Sequence, residues 1–321
     1  MNAGKNYNQP EVFVLVPSYN HAPFVEKCLK SIIKQTFSPK KLLVIDDGSQ
    51  DGSPQTIEKV LNDCPFPSEL IVRENRGLCA TLNEGFAKSN SEFFAYLGSD
   101  DVWLPTLLEE RVKVLEKRQN AVLGFGHAFL IDEHDQIIDC TSNWTSFSDG
   151  DMLPLLLRGI IFSSSSVVYR RSALEKHSWN ENSLLEDYEL YLRLCADGEF
   201  AFDESVLCAW RQHGWNVSGD APLMLEEWIS AQNRVADKLN ISREELDKVQ
   251  TELKFDAVLN YIRSGRQREA AKLFLENISG AKSVSQIGKT MFRLSIPQTL
   301  FKWNRQRKKR EAIKSYGKLE I

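Results

Sequence analysis

Two pairs of adjacent aspartates, Asp46–Asp47 in IDDGSQDGS and Asp100–Asp101 in GSDDVW, each follow an apolar run directly. Neighbouring carboxylates repel unless a cation lies between or beside them, and oxygen ligands of this kind suit Mn2+ or Mg2+. Such a cation also grips phosphate, so the chemistry on offer is charge neutralisation of a diphosphate leaving group. An isolated Asp-Asp at a strand end is more often an ordinary surface turn, and the reading rests on its company. The first pair lies in a turn rich in Gly and Ser, and Ser53–Pro54 is placed to cap and open a helix. One of its carboxylates can accept hydrogen bonds from a base or ribose. Pro17, Ser18, Tyr19 and Asn20 leave the first apolar run together, which sets the Tyr19 ring where it can stack on a nucleobase. Farther on, Glu186, Asp187 and Glu189 crowd the start of a segment anchored by Leu190, Leu192 and Leu194. Helix capping alone would explain acid at that place. Neither the Walker nor the dinucleotide glycine fingerprint occurs.

These residues need a frame, and the hydrophobic pattern supplies one. VFVLV from Val12 reads as a strand, and Phe24, Cys28 and Ile32 recur at helical spacing after it. LLVI at 42–45, a helix with Ile57, Val60 and Leu61, a strand at Leu70–Val72, a helix from Leu78 to Lys88 and FFAYL at 93–97 continue the alternation. A helix opened by Pro105 runs to about Arg118 and AVLGF follows. The series implies a mostly parallel, Rossmann-like central sheet flanked by helices. Ligands then bind beyond the carboxyl ends of the strands, where PSYN, DDGS and GSDD all sit. Residues 130–165 read as a strand pair around Ile131 and Ile137, a loop and a short apolar helix, before SSSSVVY. From Ala221 the pattern is helical without strands, so the expected division is 1–220 for a catalytic domain and 221–321 for a helical region. The latter ends in the basic, tryptophan-bearing KWNRQRKKR at 302–310. That run is either a solvated helix end or an interfacial segment for anionic lipid.

VPSYNHAPFVEKCLKSIIKQTF, LLVIDDGSQDGS, ENRGLCATLNEGFAKS, YLGSDDVWLP and LLEDYELYLRL, in this order, resemble glycosyltransferase family 2 with its GT-A fold, from Val12 to Ser218. The resemblance implies an inverting transferase using a nucleotide diphosphate sugar, with UDP as the expected nucleotide. It assigns Tyr19 and Asp47 to the nucleobase, with Pro17 and Asn20 also nucleotide-binding, and leaves Asp46 structural. It puts Asp101 on the metal, Asp100 on the ribose, and Arg76, beside Gly77, near phosphate. Ser99 stands where a strict DXD motif has its first aspartate, so protein ligands to the metal are few. The ED motif maps the catalytic base onto Asp187, with Glu186 as the nearer rival. WRQHGWNVS resembles the closing segment, which brings Arg211 and His213 to the diphosphate or metal, with Trp210 and Trp215 as candidates for the acceptor cleft.

With 321 residues, 42% hydrophobic and 26% charged, the chain can bury a full core. A net charge of -4 excludes a general nucleic-acid-coating role. Six cysteines without a CxxC pair argue against zinc ribbons and disulfide frameworks, and with MNAGKNYNQPEV at the start the expectation is a soluble, cytoplasmic protein. The four NxS/T sequons, from Asn143, Asn216, Asn240 and Asn277, are then chance. The expected acceptor is a saccharide or lipid-linked glycan of a cell-surface polysaccharide, with peripheral membrane contact through the basic tail. A sugar nucleotidyltransferase is the alternative, but it would need a glycine-rich, arginine-bearing loop after the first strand, which PSYNHAP does not supply. A non-catalytic nucleotide-sugar-binding protein would lack the carboxylates at 101 or 187, and both are present.

Overall fold

The computed structural model describes residues 10–214 and 219–320, and Trp215 and Asn216 lie outside them. The chain opens with β1 (Val12–Ser18), α1 (Ala22–Ile33), β2 (Lys41–Asp46), α2 (Ser53–Asn62), β3 (Ser68–Val72), α3 (Leu78–Ala87) and β4 (Phe93–Tyr96). Alternate residues of these strands enter two different cores. Phe13, Leu15, Leu43, Ile45 and Phe94 face one, while Val14, Val16, Leu42, Val44 and Ala95 face the other. A strand buried on both faces must be apolar at every position, which is why the sequence shows runs there and not alternation. Each fully buried Leu or Phe contributes roughly 1.5–3 kcal/mol.

Next come β5 (Val102–Trp103), α4 (Leu107–Lys117), β6 (Ala121–Ile131), β7 (Ile137–Cys140), α5 (Leu153–Leu156), β8 (Val168–Arg170), α6 (Arg171–Leu174), α7 (Glu186–Leu194) and β9 (Glu199–Arg211). The sheet order is β3-β2-β1-β4-β8-β6-β9-β5, with β7 on β6. Pairing is parallel through β3-β2-β1-β4 and again between β6 and β9. Antiparallel strands β8, β5 and β7 complete the sheet. Strand β9 has no counterpart in the sequence reading. Its interior Asp203-Glu204-Ser205 breaks the apolar pattern because the strand leaves its partner there: pairing with β6 covers Glu199–Asp203, then resumes at Cys208 after a shift at Gly126/Ala128.

The remaining chain is α8 (Ala221–Val235), α9 (Arg243–Arg263), α10 (Gln267–Glu276), α11 (Val284–Ser295) and α12 (Gln298–Tyr316). These helices do not stand apart from the sheet. Ala231 and Val235 of α8 enter the core that holds Phe13 and Tyr96, and Leu319 packs with Val102, Ile131 and Ala209. No helix among the described residues is long and apolar enough to cross a membrane.

Candidate active site

The loops after β1 and β2 are knitted together by side chains. The Asn20 amide donates to Ser49 Oγ (2.8 Å), and Asn20 Oδ1 accepts from the Gln50 amide (2.8 Å). Asn20 adopts a left-handed φ of 52°, a conformation Asn tolerates better than most residues. Asp46 is fully buried and accepts from Ser18 Oγ, the Ser49 amide and Ser49 Oγ, a structural role throughout. Asp47 clamps the loop before α3: its carboxylate pairs with the Arg73 guanidinium and accepts from the amides of Arg76 (2.9 Å) and Gly77 (2.8 Å). A carboxylate offers roughly four acceptor positions, so little of Asp47 is left for a base. The Arg76 side chain is 57% exposed and reaches Glu84 at 3.4 Å. Arg73, which the sequence reading passed over, is the half-buried arginine of this loop, also donating to Thr81 Oγ1 (2.7 Å). Pro17 is buried within β1, opposite Ile45, whereas Tyr19 is exposed at the mouth. Gly48, at φ +85°, could not carry a Cβ without coming within 3.0 Å of the Asn75 amide.

At the end of β4, Asp100 meets two histidines. His213 Nε2 lies 3.0 Å from Asp100 Oδ2, and His21 Nδ1 lies 3.8 Å from Asp100 Oδ1 and 2.8 Å from Ser99 Oγ. One ligand atom from each of His21, Asp100 and His213 falls within a 4.8 Å group, a spacing fit for one metal ion. Burial works to raise the Asp100 pKa, but the His213 hydrogen bond and the His21 charge outweigh it and hold the carboxyl below its ordinary value. Asp101 is turned the other way. Its Oδ1 accepts from the Arg211 amide (2.8 Å), and burial together with the Asp100 charge pushes its pKa well up. The Asp101 carboxyl is thus engaged through Oδ1 with β9, and Asp100 is the member of the pair that faces the two histidines.

The Arg211 guanidinium is buried, donating to the Asp100 carbonyl (2.8 Å) and the Asp132 carbonyl (2.8 Å), pairing with Asp135 (2.8 Å) and lying over the Phe24 ring. These contacts tie the Asp100 turn to the β6–β7 turn. Trp210 is half-buried in β9 beside Leu130.

Glu186 and Asp187 open α7, half-buried, and no cation pairs with either among the described residues. Their neighbour Glu189 is already committed to Arg234 (2.7 Å) and Asn180 (2.9 Å). Tyr96 Oη, on β4 four residues before Asp100, stands 3.4 Å from Glu186 Oε1, so one strand links the acidic pair to the histidine cluster. Burial, then the Asp187 charge, pushes Glu186 up to about 8. Burial alone raises Asp187 to about 6, against the pull of the Tyr188 amide. A carboxyl whose folded pKa exceeds its unfolded value favours the folded state only while protonated. This stability is therefore present near pH 4 and lost as pH rises through about 8. Glu186→Gln is expected to raise the melting temperature by a few degrees at pH 8 and to leave it unchanged at pH 4. Equal shifts at both values in a calorimetric series would contradict the raised titration.

Residues 13–178 match the family model of Glycosyl transferase family 2. The chain belongs to glycosyl transferase family 2. A family member from Nostoc sp., described as an uncharacterized glycosyltransferase, is 30% identical over 170 residues, covering 52% of each chain. One from Rickettsia prowazekii is 26% identical over 234 residues, 70% of this chain and 71% of the relative. The chain thus spans about half of the Nostoc relative, and the match to one from Rickettsia felis covers 34% of that protein. Among solved structures, residues 1–349 of S. aureus TarS superpose with a TM-score of 0.58 at 15% identity, covering 92% of both chains. The mannosyltransferase PcManGT from Pyrobaculum calidifontis, solved with GDP-Man and Mn2+, gives 0.60 at 17% identity, covering 95% of this chain and 86% of that one. These likenesses establish the GT-A fold.

The family 2 match ends before Glu186, Asp187, Arg211 and His213. Their placement beside the matched loops comes from the structure itself: α7 meets β4 through Tyr96, and β9 returns Arg211 and His213 to Asp100.

Proposed function

We propose that the chain is an inverting glycosyltransferase that moves a sugar from a nucleotide diphosphate donor, a UDP-sugar, to a saccharide or lipid-linked saccharide in surface-polysaccharide synthesis. The observation that carries this reading is the pairing of a metal-fit cluster, built on Asp100 in the turn after β4, with an acidic pair at the start of α7 that meets β4 through Tyr96 and that no cation among the described residues pairs. The neighbours lend support: TarS has been solved with UDP-GlcNAc, and PcManGT with GDP-Man and Mn2+. In this proposal residues 1–220 form the catalytic unit, and 221–321 the helical region that backs it.

The mixed imidazole and carboxylate set of His21, Asp100 and His213 fits Mn2+, and Mg2+ if water supplies the remaining ligands. Such a cation would neutralise charge on the diphosphate. Tyr19, exposed at the mouth of β1, offers its ring to the base, with Asn20 and Asp47 holding the loops that frame it. Asp187 takes the proton of an acceptor hydroxyl as that oxygen attacks the anomeric carbon. The bond from that carbon to the diphosphate oxygen breaks, its electron pair leaving with the diphosphate, and the configuration inverts.

A thermal-shift series tests the reading, because a ligand selective for the native state raises its stability by about 2.7 kcal/mol at 100 times its Kd. UDP with Mn2+ is expected to raise the melting temperature more than either alone, and Asp100→Asn or His213→Ala to remove the metal-dependent part. If no nucleoside diphosphate or its sugar shifts the transition, with or without metal, the proposal fails.

A further inference from the structure

The C-terminal helices carry a face that nothing among the described residues covers. On α12, Leu300, Trp303, Arg307, Arg310 and Lys314 are spaced by three and four residues, so they form one stripe along the helix. Every one is exposed, Trp303 at 60%, and the Arg307 guanidinium lies 5.5 Å from the Trp303 ring centroid. The opposite side of α12 is fixed to the sheet. Lys309 pairs with Asp132 (2.9 Å) and Tyr316 meets the Phe129 ring at 5.6 Å.

Helix α11, joined to α12 through Ile296–Pro297, shows a similar division. Ile287 and Leu294 pack inward against the core around Phe255. Val284, Met291 and Phe292 are exposed, Phe292 at 68%. The exposed apolar side chains of α11 and the basic stripe of α12, which carries Leu300 and Trp303, supply the two components of membrane-interface binding, rings at headgroup level and cations beside phosphates.

We infer that the outward faces of α11 and α12 dock on an anionic lipid surface. Charge selects this occupant. Helix α12 carries seven basic residues and one acidic residue in a chain whose net charge is -4. Among the described residues no carboxylate pairs with Lys302, Arg305, Lys308, Arg310 or Lys314, and Arg307 reaches only Glu311 at 3.8 Å. A second copy related by a two-fold axis would set the same basic stripe against itself, which like-charge repulsion opposes. A bilayer containing phosphatidylglycerol presents the complementary charge, worth about fivefold in binding per basic residue near the surface.

The inference extends the proposal of a lipid-linked acceptor, yet it is tested by vesicle binding with no sugar donor present. Full-length protein is floated with vesicles of pure phosphatidylcholine and of phosphatidylcholine with about one-quarter phosphatidylglycerol. Binding is expected to the second only and to weaken steeply with salt. The triple variant Arg307→Glu, Arg310→Glu, Lys314→Glu is expected to bind at least about a hundredfold more weakly. The pair Leu300→Asp, Trp303→Asp should likewise lose binding, with melting temperatures near wild type showing that both variants fold. Wild type that fails to float with anionic vesicles, or a triple variant that binds like wild type, overturns the inference. So does a concentration-dependent dimer abolished by the Leu300, Trp303 pair, which would give the face to a second copy. Vesicle binding that persists while no nucleotide shifts the melting curve removes the proposed activity and leaves the docking surface standing.

Discussion

Asp187→Asn is expected to lower sugar transfer roughly 100- to 10,000-fold, the usual worth of a positioned general base, while nucleotide- and metal-dependent stabilisation stays at the wild-type level. The sign of the pH dependence follows from the raised pKa. A base must be ionised to accept the acceptor's proton, so the wild-type rate should climb as pH rises through about 6 and then level off. Glu186, raised by burial and then by the Asp187 charge, is the one of the pair expected to hold its proton at neutral pH, which leaves Asp187 as the base. Glu186→Gln should therefore keep the limb near 6 and most of the rate. A wild-type limb near 8, or full turnover in Asp187→Asn, would transfer the role to Glu186 or remove it from the pair. Comparing rates at saturating donor separates this loss from a binding defect, since the substitution leaves the histidine cluster untouched.

The parts of this arrangement that were legible in the sequence are those fixed by local physics. Strands β1 to β4 are buried on both faces, and their apolar runs announce them. The polar clusters at their carboxyl ends then locate the cleft without further information. Four features were not legible, each for a reason of distance. His21 lies in the loop after β1, and only folding sets it against Ser99, whose hydroxyl is 78 positions away. A histidine next to Asn20 at a strand end was the available signal. Arg73 is one of two arginines near the start of α3, and burial rather than spacing decides that it, not Arg76, pairs with Asp47. Adjacent acids give no local signal of which way each points, and it is the Arg211 amide, contributed by β9, that turns Asp101 inward and leaves Asp100 facing the histidines. Strand β9 itself is hidden by the polar residues where it parts from β6.

Arg211 carries the other large expected effect. Its guanidinium holds three acceptors from two segments, the Asp100 carbonyl on one side and Asp132 and Asp135 of the β6–β7 turn on the other. Arg211→Met leaves the Asp135 carboxylate with Lys27 alone and the Asp100 turn without its donor. Because Asp135 is partly exposed and keeps Lys27, the loss is that of charged hydrogen bonds rather than of a stranded buried charge, and denaturant melts should show a loss of about 2 kcal/mol or more. Mn2+-dependent nucleotide stabilisation should vanish even below the shifted melting temperature. Arg211→Lys should not rescue it, because a single ammonium cannot span acceptors set in a planar fork. The same turn is where the C-terminus is fastened: Lys309 pairs with Asp132, the Leu319 amide donates to the Asp135 carbonyl (2.9 Å), and Lys27 pairs with Asp135 (2.9 Å). Deleting residues 302–321 therefore strips support from Arg211 as well as the basic face of α12, and point substitutions on the outward stripe are the cleaner probe of lipid binding. An Arg211→Met protein with wild-type stability and an intact Mn2+ response would show that the Asp100 turn keeps its shape without this arginine, and the link from the C-terminal helix to the site would be lost with it.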